Sequence, residues 1–288
     1  MPLHAPPASL SVNKASVVHI EERVRLDDGA QTILERWGSN GPALLCVHGM
    51  TSSRKSWERF ALHYAGRARV YAYDQRGHGD SASVAGPMTL HRALLDLYNV
   101  MDALPEPVDT LVGHSWGGAV CILGGRRFDV RRVIAVDPMI RQAGDGWYDE
   151  FIAELKSLFA QKGDARDAQI HEEYSKLGWG EIDVERKKHA VHNMTTAPIE
   201  RLRAENPPET WDLRRDLEDY PKPLLLAMAD AQESLVPIED LKYVREHGGP
   251  NIAIRVFEGQ GHNLHRTSFD QFIREVDVFL ERTVTISP

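Results

Sequence analysis

Apolar residues along the chain occur in two patterns that alternate. Short, mostly apolar runs that end at glycine, aspartate or a polar residue stand at 43–48, 69–74, 131–137, 223–229 and 251–258. Such runs are typical of buried strands. Between them, apolar residues at helical spacing predict amphipathic helices at 54–65, 89–104 and 268–283. The alternation of strand and helix predicts an α/β fold with a mostly parallel sheet and helices on both faces.

Two parts of the chain, the residues before 40 and the helix at 89–104, contain residues that mark where elements begin and end. Residues 16–26 and 31–38 alternate loosely around "DDGA", which favours a β-hairpin, and the first fifteen residues resemble a tail. Thr89 is placed to cap the helix at 89–104, and Pro105 follows its end.

The pattern changes between residues 140 and 210. This stretch is rich in charged and aromatic residues, has no clear strand, and carries a helical stripe at 147–160. We therefore predict one α/β domain, formed by residues 1–139 and 211–288, with a helical insertion at 140–210.

Composition narrows the classes of protein that the pattern allows. A chain of 288 residues with 42% hydrophobic residues suits one large domain carrying an insertion. The net charge of -8 argues against a general nucleic-acid binder, because phosphate neutralisation needs a basic surface. No run approaches the roughly 18 apolar residues of a membrane span. Without a signal-peptide pattern, and with Cys46 and Cys121 expected as buried unpaired thiols, a cytoplasmic location is expected.

The pentapeptide Gly113-His114-Ser115-Trp116-Gly117 lies between an apolar strand and a small-residue helix. In a G-x-S-x-G turn of this kind the serine projects above the sheet, and the helix N-terminus favours developing negative charge. Ser115 is therefore the predicted nucleophile. Two backbone N–H groups, one from Met50 in "VHGMTSS" and one from Trp116, are placed to stabilise an oxyanion.

A serine hydroxyl needs a base, and the base needs an orienting carboxylate. His262 follows the last predicted strand and is preferred over His265. Three carboxylates stand at suitable positions: Asp137 at the end of "VIAVD", and Asp230 and Glu233 in "PLLLAMADAQESLVP".

Five motifs, in order and spacing, make the chain resemble the α/β-hydrolase fold superfamily in its serine-dependent, cap-bearing branch. They are "VHGM", "YDQRGHGDS", "GHSWGG", "PLLLAMADAQESLVP" and "GQGHN". The resemblance implies an eight-stranded sheet, the catalytic pair Ser115 and His262, and an oxyanion hole at Met50 and Trp116. It also implies that "DQRGHGDS" is a structural turn, and that the insertion is a cap whose Trp147, Phe151 and Trp179 line the pocket.

The resemblance also implies where the triad carboxylate should stand. Counted back from "LVP", that position holds Glu233, although the glycine that usually precedes it is absent. We therefore predict Glu233 as the triad acid, with Asp230 and Asp137 as alternatives.

The resemblance implies hydrolysis of a small-molecule carboxylic ester or lactone through an acyl-enzyme, as in carboxylesterases and lactonases, with no cofactor. The same fold also hosts carbon–carbon bond hydrolases, amidases or aminopeptidases, cofactor-free perhydrolases and small-ligand receptors. No metal site is expected, because the histidine pairs in "HNLH" and "HAVH" lack the spacing of the H-E-x-x-H motif.

Overall fold

A computed structural model describes residues 18–192 and 194–284. Its centre is an eight-stranded sheet in the order β1-β2-β4-β3-β5-β6-β7-β8. β1 and β2 pair in antiparallel fashion, β2 is antiparallel to β4, and the strands from β3 to β8 are parallel. The strands are β1 His19–Arg25, β2 Gln31–Trp37, β3 Ala43–Val47, β4 Arg69–Tyr73, β5 Val108–His114, β6 Arg132–Val136, β7 Leu224–Met228 and β8 Ile252–Val256. This confirms the predicted mostly parallel α/β sheet.

The helices that the structure describes connect these strands and follow the last of them. They are α1 Glu58–Tyr64, α2 Leu90–Asp102, α3 Trp116–Arg127, α4 Asp145–Ala160, α5 Asp164–Lys176, α6 Glu181–His192, α7 Ala197–Glu205, α8 Arg214–Leu217, α9 Ile238–His247, α10 Leu264–Thr267 and α11 Phe269–Val284. Within the described ranges, none of them combines the length and apolar character needed to cross a membrane.

The inner strands are apolar on both faces because helices cover both faces. In β3, Leu45 and Val47 join the core beneath α2 and α3, whereas Leu44 and Cys46 join the core beneath α1 and α11. This double burial explains why the strands read as continuous apolar runs rather than as alternating patterns. Cys46 and Cys121 are buried free thiols, as predicted.

Local boundaries follow the sequence signals closely. The Thr89 hydroxyl accepts a hydrogen bond from the Arg92 N–H at 3.0 Å and caps α2, as predicted. The helix predicted at 54–65 begins instead as a 3₁₀ turn at Arg54–Trp57 before α1. The predicted tail lies outside the described residues.

Five helices, α4 to α8, stand between β6 and β7. Four of them fall within the predicted insertion at 140–210, and α4 matches the stripe at 147–160. The domain boundaries themselves stay a prediction.

Candidate active site

Ser115 lies at the turn between the end of β5 and the start of α3. Its backbone has φ 56° and ψ −121°, a region that residues with a side chain rarely adopt. The Ser115 N–H donates to the Val136 carbonyl at 2.9 Å, which fixes the turn to the neighbouring strand β6. The turn matches the strained strand-to-helix geometry expected of G-x-S-x-G.

The two glycines of the pentapeptide are required by close backbone approach. A Cβ on Gly113 would lie 2.2 Å from the Gly117 carbonyl oxygen and 2.7 Å from the Cys121 sulfur. A Cβ on Gly117 would lie 2.3 Å from the carbonyl oxygen of Val47 at the end of β3. The tight packing of β3, β5 and α3 therefore excludes any larger residue at either position.

A cavity of about 170 Å³ opens beside Ser115. Its walls come from the loop after β3, the Ser115 turn, the loop after β8, and helices α4 and α6. The structure brings these predicted site residues together around it: Met50, Ser115, Trp147, Phe151, Trp179 and His262. The rings of Trp147 and Phe151 stack with centroids 4.8 Å apart.

The carboxylate beside His262 is Asp137, which directly follows β6. Asp137 Oδ2 lies 2.7 Å from His262 Nδ1 and also accepts from the Leu235 N–H at 3.1 Å. Its other oxygen accepts from the Ala229 N–H at 3.0 Å and the Ser234 hydroxyl at 2.5 Å. The carboxylate is fully buried, and each of its oxygens has hydrogen-bond donors. A carboxylate can only accept, so the hydrogen sits on His262 Nδ1, and in the neutral ring Nε2 is the acceptor.

The predicted pairing of Glu233 with His262 is therefore corrected. Glu233 is exposed, and the loop that carries it instead supplies Ser234 and Leu235 as donors to Asp137. Asp230 is also occupied elsewhere, since it accepts from the N–H groups of Gly259 and Gln232 at 2.9 Å and 3.1 Å. The sequence did offer a signal for Asp137, because it directly follows the apolar run of β6. In the sheet, β6 pairs with β5, the strand that ends just before Ser115.

Two buried histidines hold the loop that carries Met50. The Gln75 N–H donates to His48 Nε2 at 3.0 Å, so the hydrogen of His48 is on Nδ1, which lies 2.8 Å from the Gly49 carbonyl. His78 Nε2 lies 2.6 Å from the Met50 carbonyl. With their carbonyls held in this way, the Gly49–Met50 backbone is fixed next to Ser115. Burial lowers the pKa of both histidines, which favours neutral rings.

The backbone N–H groups of Met50 and Trp116 donate no hydrogen bond to any other residue that the structure describes. Trp116 is the first residue of α3, where a backbone N–H has no intrahelical acceptor. These are the two donors predicted to face an oxyanion. Trp116 directly follows Ser115 in the chain, and Met50 follows Gly49, which lies in close contact with Ser115.

His265, the alternative base, does not reach Asp137. Its ring is buried and lies between the rings of His114 and Trp57, tilted against both, with centroids 4.4 Å and 5.2 Å away. Burial holds its pKa well below the usual value of histidine. The preference for His262 over His265 therefore agrees with the geometry.

Two cations in the cavity wall were missed by the sequence analysis. Lys187 from α6 and Arg266 from α10 both line the cavity, and each is only 6% exposed. Neither residue stands in a motif, and they lie 79 positions apart in the chain, so no local pattern could have joined them.

The turn at "DQRGHGDS" is structural, as expected. Asp74 is fully buried and accepts from the backbone N–H groups of Arg54 and Asp80, each at 2.8 Å. A Cβ on Gly79, where φ is +51°, would lie 2.5 Å from the Asp74 carboxylate. The turn therefore closes around a carboxylate and not around a ligand.

One group of residues away from the cavity has metal-ligand chemistry. The donor atoms of His171, Glu181 and Glu185, on α5 and α6, lie within 4.8 Å of one another. All three residues are exposed, and exposed acidic groups are common in the absence of any ion.

Comparisons with known proteins show the family of the chain. A model of the alpha/beta hydrolase family matches residues 44–275. Lipase LipV of Mycobacterium tuberculosis is 29% identical over 154 residues, which cover 52% of this chain and 56% of the lipase. Protein phosphatase methylesterase 1 of Mus musculus is 38% identical over 92 residues, which cover 30% of this chain and 24% of the methylesterase. The chain thus spans about half the length of the first relative and a quarter of the second.

The fold also matches solved structures over most of its length. The N-formylmaleamic acid deformylase of Pseudomonas putida has a TM-score of 0.71 at 21% identity. The match covers 89% of this chain and 100% of the deformylase.

Proposed function

Because the chain belongs to the alpha/beta hydrolase family, we propose that it hydrolyses a carboxylic ester or lactone through an acyl-enzyme on Ser115. One observation carries the proposal: Ser115 in its strained turn and His262, held by Asp137, line the same cavity. The similarity to a lipase and a methylesterase supports ester chemistry within the family.

The residues can perform the two half-reactions in order. Ser115 Oγ attacks the substrate carbonyl carbon while His262 Nε2 takes the hydroxyl proton. The carbonyl oxygen becomes an oxyanion that accepts from the N–H groups of Met50 and Trp116. When the C–O bond breaks, His262 returns the proton to the departing alkoxide. Water then attacks the acyl-enzyme with the same base, which releases the acid and restores Ser115.

Asp137 acts on His262 in this scheme. It holds the hydrogen on Nδ1, so that Nε2 is ready to accept a proton, and its charge stabilises the imidazolium that forms. Ser234 and the backbone of Ala229 and Leu235 fix the position of the carboxylate.

The test compares wild type with Ser115→Ala on short-chain p-nitrophenyl esters and on γ-lactones. We expect wild-type turnover and a loss of about 10⁴-fold or more in kcat for the variant. Ser175→Ala, at an exposed serine of α5, is the matched control and retains full activity. A fluorophosphonate probe followed by peptide mass spectrometry should label Ser115. Wild-type rates in Ser115→Ala would refute the assignment, and tight ligand binding with no turnover would favour a receptor.

A further inference from the structure

The cavity beside Ser115 contains two buried cations whose charge is not matched by nearby carboxylates. Lys187 and Arg266 are both almost completely buried. Among the described residues, no carboxylate oxygen lies within 4.0 Å of a side-chain nitrogen of either residue. The charge of buried Asp183 acts on Arg266 and raises its pKa, but Asp183 makes its direct ion pair with Arg59 at 3.2 Å and no contact within 4.0 Å with Arg266.

The hydrogen bonds of Lys187 leave part of its ammonium group open. Its Nζ donates to the Thr51 carbonyl and lies 3.0 Å from the Thr51 hydroxyl as well. The ring of Tyr174 lies 5.2 Å from Nζ and offers a π face but no charge. An ammonium group has three N–H donors, so one donor is left for a group in the cavity.

The guanidinium of Arg266 also keeps unused donors, because Nη1 and Nη2 each carry two N–H groups and Nε carries one. Nη1 donates to Asn263 Oδ1 at 3.0 Å and Nη2 to the Ser52 hydroxyl at 3.2 Å. The indole of Trp179 lies 4.2 Å from the guanidinium carbon. The Nε–H is buried and has no partner among the described residues. All of the partners of Arg266 at hydrogen-bond distance in this region are neutral side chains.

Burying two cations that make no contact with a carboxylate costs free energy unless another group supplies the charge. The same burial lowers the pKa of Lys187 to about 7 and that of Arg266 to about 10. An anion in the cavity would offset this cost and would accept from the Lys187 ammonium and the Arg266 guanidinium. Both cations are also held by Thr51 and Ser52, which directly follow Met50 in the proposed oxyanion loop.

We propose that the cavity selects esters that carry a carboxylate, and that Lys187 and Arg266 bind this carboxylate while Ser115 attacks the ester carbonyl. The inference rests on the proposed ester hydrolysis and narrows its substrate class. Arginine presents N–H donors in a planar fork that suits a carboxylate, and lysine adds a second charge. The same small cavity is lined by the apolar side chains of Trp147, Phe151 and Leu235, which suit the carbon chain of such an ester.

The first experiment uses two pairs of esters that differ only in charge. Monomethyl glutarate and methyl 4-carbamoylbutanoate vary the acyl side; 3-acetoxypropanoate and 3-acetoxypropanamide vary the alcohol side. We expect the charged ester of at least one pair to have a kcat/KM at least tenfold higher than its amide in wild type. Lys187→Met and Arg266→Gln should each reduce that ratio about tenfold or more, mainly through KM. If Arg266→Gln fails to fold, Arg266→Lys replaces it as the test variant, because lysine lacks the planar fork of donors.

The matched control is Lys188→Met. Lys188 is the next residue of α6 and pairs with Glu185 at 2.5 Å, away from the cavity wall. This variant should keep the wild-type ratio. A ratio of one or less in both pairs would overturn the proposal. So would an equal loss on charged and neutral esters in Lys187→Met, because that result would assign the cations to the oxyanion.

The second experiment separates this proposal from the proposed function. Ser115→Ala cannot form the acyl-enzyme but keeps both cations, and its melting temperature is measured with glutarate and with glutaramide. Glutarate should raise the melting temperature, glutaramide should not, and the added substitution Lys187→Met should reduce the difference. If no ester is turned over but this shift is present, only the hydrolysis proposal fails. If esters are hydrolysed through Ser115 but glutarate binds no better than glutaramide, the carboxylate proposal fails.

Discussion

Two buried carboxylates occupy equivalent places in the sheet and have different partners. Asp74 follows β4 and Asp137 follows β6, both at the carboxyl ends of parallel strands and both fully buried. Asp74 is paired with the guanidinium of Arg54. Asp137 has only neutral donors and one titratable partner, His262, which faces the cavity.

The cations of the two regions differ in the same way. Arg54 lies within hydrogen-bond distance of carboxylates from Glu21, Asp74 and Asp80. Lys187 and Arg266 have no such partner in the part of the chain that the structure describes. In the Asp74 region the charges are matched within the protein, which suits a scaffold. Around Ser115 the protein leaves both a titratable base and unmatched cations, which suits a site that receives a ligand.

The largest expected effect concerns the two carboxylate positions that compete for the triad. Asp137→Asn should reduce kcat about 10⁴-fold, because the amide would favour the wrong tautomer of His262. Glu233→Gln should change kcat less than about twofold, since Glu233 is exposed. Both are measured on the best p-nitrophenyl ester, with far-ultraviolet circular dichroism as the control for folding. The opposite ranking would restore Glu233 as the acid.

The difference between Asp137 and Glu233 shows what sequence could predict about this molecule. The strands, the hairpin, the Ser115 turn and His262 follow from local patterns, because apolar periodicity and glycine positions encode local geometry. The acid depends on which of two loops reaches His262 across the sheet edge. That choice is made by Ser234 and Leu235, which bind Asp137 from a loop almost a hundred residues away.

The cation pair was beyond sequence reasoning for a related physical reason. A lysine within a charged helix is usually a solvated residue, and Lys187 stands in the run "ERKKH" beside Lys188. Only the packing of α6 against the Thr51 loop distinguishes buried Lys187 from its partly buried neighbour Lys188. The proposed role of Lys187 depends on its burial, and the identity of the residue alone does not predict burial.

The next largest effect tests the matched region. Arg54→Met removes the cation that pairs with buried Asp74, and breaking a buried pair costs about 3–5 kcal/mol. We expect the free energy of unfolding in urea to fall by that amount. Lys187→Met should change it by less than about 1 kcal/mol, because no buried acid loses its partner. Equal losses in the two variants would remove the distinction between matched and unmatched regions.

The smallest effect is a pH dependence of charge selectivity. With a pKa lowered to about 7, Lys187 is protonated at pH 6 and largely neutral at pH 8. Binding of a carboxylate needs the protonated form, so the ratio of kcat/KM for monomethyl glutarate to that for its amide should fall about tenfold between pH 6 and pH 8. Arg266, which lowers this pKa, keeps its own charge over that range and preserves a residual preference.

The ratio separates Lys187 from the other groups around the cavity. His262 serves both esters equally, so its contribution cancels in the ratio, and Tyr174, with a pKa raised to about 12, stays neutral throughout. In Lys187→Met the ratio should be low and independent of pH, whereas Lys188→Met should reproduce the wild-type profile. If the ratio falls with pH in Lys187→Met as it does in wild type, a group other than Lys187 causes the pH dependence. A flat wild-type ratio would mean that Lys187 keeps its proton up to pH 8, and the unmatched cation would then be stabilised by the protein itself.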